Sequence, residues 1–135
     1  MTMSLNNAYQ TYQQNSVGTA SPGELTLMLY NGCLKFLKQA KVAIEAGKVE
    51  EKNTNLLKAQ KIIQELMVTL NTDVPVGKQM MQLYDYMNRR LIDANVKSDV
   101  AIIEEVEGLT VEFRDTWKQV IQQNRKASYG AGGQA

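Results

Sequence analysis

Residues 21–47 read Ser21-Pro22-Gly23-Glu24-Leu25 followed by TLMLYNGCLKFLKQAKVAIEAG, and this stretch decides the fold. Ser21 is placed to cap a helix, Pro22 occupies the first helical position where its missing donor is harmless, and Glu24 completes a capping box. At 100° per residue, Leu25, Leu29, Tyr30, Cys33, Phe36, Leu37, Ala40, Ala43 and Ile44 fall within a sector of about 140°, the mark of a helix with one buried face. Gly47 supplies the left-handed residue that ends it.

The same pattern repeats toward the C-terminus. A second helix is predicted from about Glu50 to Leu70, with Leu56, Ala59, Ile62, Ile63, Leu66, Met67 and Leu70 on one face. Asn71-Thr72-Asp73-Val74-Pro75 breaks it, since turn formers precede a proline that restricts its neighbour. A third, over about 76–95, carries Met80, Leu83, Tyr84, Met87, Leu91 and Ala94, and Asn95 to Ser98 close it. A fourth starts near Ser98 or Asp99 and carries Ile102, Ile103, Val106, Leu109, Phe113, Trp117, Val120 and Ile121. Gly108 within it marks either a close helix crossing or an exposed position of no consequence. Connections of a few residues force successive helices to return antiparallel. The expected fold is therefore all-α, an antiparallel up-down-up-down four-helix bundle over residues 21–127. An extended N-terminal arm (1–20) precedes it and a glycine-rich, disordered C-terminal tail (128–135) follows. The arm is rich in Asn, Gln, Ser and Thr, with Tyr9, Tyr12 and Val17 as isolated anchors, too few to offset the ordering of its backbone alone.

Composition narrows the function classes. The chain has 135 residues with 15 basic and 14 acidic side chains, so no strong field is available to gather a polyanion and nucleic acid is not expected as a partner. The single cysteine, Cys33, excludes an internal disulfide. The opening residues lack a basic then apolar leader, and no apolar run reaches about 18 residues, so neither export nor membrane insertion is predicted and cytoplasm is the expected compartment. The absence of histidine removes HExxH metal chemistry, the usual Ser-His and Cys-His pairings, and the Glu-x-x-His ligands of di-iron bundles. Glu104, Glu105, Glu107 and Glu112 read as a solvated face, and Asp85, Arg89, Arg90 and Asp93 as charge pairs along a helix. Cys33 reads as a small hydrophobe. No cofactor, metal or catalytic group is expected.

Four apolar residues lie off the core stripes. Leu57 and Val68 on the second helix, and Met81 and Ile92 on the third, are displaced by about 80° to 120°. They are either flanking core or scattered surface positions, which need no explanation, or the rims of grooves for a partner's amphipathic helix. Met28, Met67, Met80, Met81 and Met87 add adaptable thioether surface, which suits an irregular guest and is equally tolerated in a bundle core.

Taken in order, Tyr12, Gln14, Asn15 and Val17, then Thr19-Ala20-Ser21-Pro22-Gly23-Glu24-Leu25, Leu29-Tyr30-Asn31-Gly32-Cys33-Leu34-Lys35 and Ala40 resemble the opening of the flagellar export chaperone family, FliS. The resemblance continues in Lys58-Ala59-Gln60, in Leu83-Tyr84-Asp85-Tyr86-Met87, in Leu91-Ile92-Asp93-Ala94-Asn95, and in Val106, Phe113 and Trp117, covering about residues 9 to 125. Asn31 stands where many relatives have Asp. The resemblance implies a bundle that captures the C-terminal segment of flagellin in the cytoplasm, prevents premature polymerisation and presents it to a component of the flagellar export gate. It also implies a monomer when free and a one-to-one complex with the guest. The arm is implied to lie over part of the guest site, with Tyr12 heading the YQQNSV stretch and Tyr9 also available. The alternative from a different class is a self-associating helical scaffold without chaperone function.

Overall fold

The computed structural model describes residues 22–134, with side chains described for 23–123. Tyr9, Tyr12, Val17, the rest of the arm and Ser21, the predicted cap, lie outside the described residues. Four helices follow in order: α1 (Pro22–Glu45), α2 (Val49–Thr69), α3 (Pro75–Lys97) and α4 (Val100–Gln134). Each packs on its neighbours in sequence, and α4 closes the ring against α1.

The boundaries follow from local chemistry. At the end of α1, Gly47 adopts φ 71°, Lys48 N–H donates to Ala43 O at 2.8 Å and Gly47 N–H to Ile44 O at 3.1 Å. These are the paired bonds of a Schellman stop, which needs a left-handed residue. α3 ends in the same way, with Asp99 N–H bonding Ala94 O, but its left-handed residue is Ser98, at φ 50°. Lys52, which is buried, holds this turn by donating to Ser98 Oγ at 2.7 Å and Asn95 O at 2.9 Å. A cation thus sits on the carbonyl end of α3, where the helix dipole favours it. Of the two residues the sequence offers as the cap of α4, Asp99 takes the role, its Oδ1 accepting from Ala101 N–H at 2.9 Å.

The core is a column of Leu29, Cys33, Leu37, Leu56, Ile63, Leu66, Met87, Leu91, Ile103 and Val106. Leu34, displaced from the predicted sector of α1, is also buried, while Leu83 of the predicted α3 face is exposed. Gly108 has open space around it, so it marks no helix crossing. The backbone of α4 runs helically through Gln134, so residues 128–134 depart from the predicted disordered tail. Extending an existing helix gains one hydrogen bond per residue without a new nucleus, which a free segment of the same composition would need.

Candidate functional site

The core stripes of the four helices do not close on one another along their whole length. At the end where α1 begins and α2 ends, they enclose an open apolar chamber of about 610 Å³. Leu25 and Leu29 of α1 and Leu66 and Leu70 of α2 form one side. Val76 and Met80 of α3, with Phe113, Trp117 and Val120 of α4, form the other. Among the described residues that line it, none carries a charge. The size falls in the range of about 300–1,000 Å³ typical of ligand pockets.

Three local features hold the chamber open and in shape. Trp117 Nε1 donates to Gly23 O at 2.7 Å, tying α4 to the first turn of α1 and satisfying the indole so that its ring is left as apolar wall. The α2–α3 connection folds tightly over the start of α3: Asp73 N–H bonds Asn71 Oδ1, and a Cβ on Gly77 would stand 1.8 Å from Asn71 O. A glycine is needed there because backbone meets backbone. At the inner end, the Tyr30 and Tyr84 hydroxyls hydrogen-bond to each other across the bundle. Phe113 meets Tyr84 edge-on at 5.9 Å and lies 6.3 Å from Tyr30. Burial raises the pKa of both phenols above the ordinary tyrosine value.

The four residues singled out from the sequence are elsewhere, and none of them lines the chamber. Leu57 is 51%, Val68 80% and Ile92 46% exposed, while Met81 is half-buried. A sweep of 100° per residue puts Leu57 and Val68 on the side of α2 that carries buried Gln60, away from Ile62, which contacts Gly32 of α1. The same sweep puts Met81 and Ile92 on the side of α3 opposite Tyr86 and Arg90, which bond Glu105 of α4. The two displaced stripes therefore converge on the outer seam between α2 and α3. Asn88 Oδ1 and Asn95 Oδ1, on that side of α3, are buried without a donor among the described residues.

The acidic cluster is divided between ion pairs. Glu105 accepts from Arg90 and Tyr86, each at 2.8 Å, and Glu107 accepts from Lys41 at 2.8 Å. The Arg90 guanidinium, then the Tyr86 hydroxyl, hold the Glu105 carboxyl below its ordinary pKa. Asp85–Arg89 and Arg90–Asp93 pair along α3 as the spacing suggests. No helix among the described residues is long and apolar enough to cross a membrane.

The chamber was not legible as such, although nearly all its large apolar residues belong to the predicted core faces. Trp117 and Val120 simply continue the α4 stripe, and nothing in their spacing marks them as chamber wall.

This geometry defines a class: a four-helix bundle with an uncharged apolar chamber open at one end. The chain belongs to the FliS family, since the family model described as Flagellar protein FliS matches residues 5–124. It is 57% identical over 131 residues to the flagellar secretion chaperone FliS of Bacillus subtilis, covering 97% of this chain and 98% of that one. It is 37% identical to the protein of the same name from Salmonella typhimurium, over 89% of each chain. A crystal structure of a bacterial flagellar chaperone superposes with a TM-score of 0.71 at 22% identity, covering 87% of this chain and 97% of that one, which is agreement of fold.

Proposed function

We propose that this protein is a cytoplasmic export chaperone that binds the C-terminal segment of flagellin, prevents its premature polymerisation and supports its delivery to the flagellar export gate. The observation that carries the reading is the open chamber of about 610 Å³ between all four helices. The names borne by its relatives support the choice of guest.

Energetics favour a guest held at more than one place. A disordered segment that orders on binding gives up about 2–5 kcal/mol, and one fully buried Leu or Phe returns about 1.5–3 kcal/mol. One or two side chains in the chamber therefore little more than offset the ordering. The α2–α3 seam with Leu57, Val68, Met81 and Ile92 offers the second apolar strip a guest needs. The arm, with Tyr9, Tyr12 and Val17, acts in this reading as a weak competitor that shields the apolar surface of the empty protein. No metal or cofactor takes part, and the protein acts on its guest by binding, without catalysis.

Calorimetric titration with a flagellin C-terminal peptide tests the reading. A one-to-one complex with the wild-type chain is expected. Deletion of residues 1–17 should raise hydrogen exchange around the chamber or the seam while the bundle stays folded; unchanged exchange in both would remove the shielding role. Sedimentation over a range of concentrations separates the scaffold alternative, because a chaperone sediments as a monomer when free and a scaffold associates.

A further inference from the structure

The chamber has a polar feature at its inner end that an apolar guest alone would leave unused. Tyr30 and Tyr84 are 3% and 2% exposed, both line the chamber, and their oxygens bond each other. Two phenols bring two O–H donors, and the bond between them consumes one. Whichever hydroxyl accepts keeps its own proton, and among the described residues neither oxygen has another hydrogen-bond partner. In the open chamber solvent can meet that donor, and a guest that displaces the solvent loses the bond unless it brings an acceptor of its own.

We infer that the Tyr30–Tyr84 pair reads the guest, selecting a segment that brings one neutral oxygen acceptor into the chamber among its apolar side chains. The acceptor is a backbone carbonyl left open at the end of a guest helix or the side-chain oxygen of Asn, Gln, Ser or Thr. A carboxylate is excluded because no lining residue carries the positive charge that would compensate its desolvation. The inference rests on the proposed capture of a polypeptide in this chamber.

The pair makes a distinctive prediction, because either phenol alone still has one proton to donate. Tyr30→Phe and Tyr84→Phe singly should each bind the flagellin C-terminal peptide within about two-fold of wild type, although each lowers the melting temperature by breaking the pair. The double variant leaves no phenol donor at the inner end of the chamber, and removing both partners is close to neutral for folding, yet affinity should fall about three- to ten-fold. Raman spectra of the unaltered protein give a second reading, in which the tyrosine doublet moves toward the donor pattern on adding the peptide. Replacing each Asn, Gln, Ser and Thr of the peptide by Ala separates the two sources. If one replacement costs wild type what the double variant loses, and costs the double variant nothing more, the acceptor is that side chain. If none does, it is a backbone carbonyl. A double variant that binds like wild type, with no change in the doublet, overturns the inference and leaves capture in the chamber standing. A wild-type chain that does not bind the peptide overturns both.

Discussion

Cys33 shows how completely the core fixes the chemistry of a single residue. It is 1% exposed, and burial pushes its thiol pKa up to about 12, against an ordinary value of about 9.0, despite a side-chain hydrogen bond with Thr110 that acts the other way. Its stabilising contribution is fully present below the unfolded pKa. It is lost as pH rises from about 9.0 toward about 12, because the unfolded chain releases the proton first. Burial of Tyr30 and Tyr84 adds loss in the same direction from about 10.0 upward. The expected outcome is a fall in melting temperature above about pH 9, less steep in Cys33→Ala after allowance for its lower starting stability. At pH 8 the thiol should react with a disulfide reagent only at the rate of unfolding; fast labelling of the native protein would contradict its placement. Gly77 is the opposite case, a residue whose importance lies in having no side chain. Gly77→Ala must push the Asn71 carbonyl away, with an expected loss of about 1–3 kcal/mol in denaturant unfolding and a distorted chamber rim.

At the level of the helix, starts and stops were legible where the chain itself supplies the cap. Pro22 and Gly47 bracket α1 as read, and Asp99 opens α4. Ser98, which the sequence offers both as the end of the third helix and as a cap of the fourth, closes α3 in the left-handed region, where Lys52, 46 residues earlier, reaches its hydroxyl. No local pattern announces a contact across two helices. Asp99→Ala should cost about 1 kcal/mol. Lys52→Met, which keeps the apolar stem and removes the ammonium, should cost about 2 kcal/mol and raise hydrogen exchange in the last turn of α3. If exchange there does not change, Lys52 does not hold that turn.

For the molecule as a whole, periodicity predicted four helices and most of the core, since burial of one face is written into each helix separately. The chamber was not, because it depends on how far four faces stand apart at one end, and a stripe looks the same whether its partner touches it or stands back. The sequence did separate Leu57 and Ile92 from the core, and both are exposed on the α2–α3 seam. Leu57→Glu and Ile92→Glu should therefore leave the melting temperature nearly unchanged while weakening peptide binding. Equal affinity in both would remove the seam from the guest path and leave the chamber as the site.

The nonpolar surface left uncovered at the open end of the bundle is, in the proposed function, what holds a foreign chain. Val76 lines the chamber yet is 63% exposed, so Val76→Glu places a charge at the mouth without burying it in the free protein. The most direct test is calorimetric titration of wild type and Val76→Glu with the flagellin C-terminal peptide, beside thermal melts of both. One-to-one binding by wild type is expected, with at least a roughly ten-fold loss in the variant at similar melting temperature. Equal binding by the two proteins would contradict it.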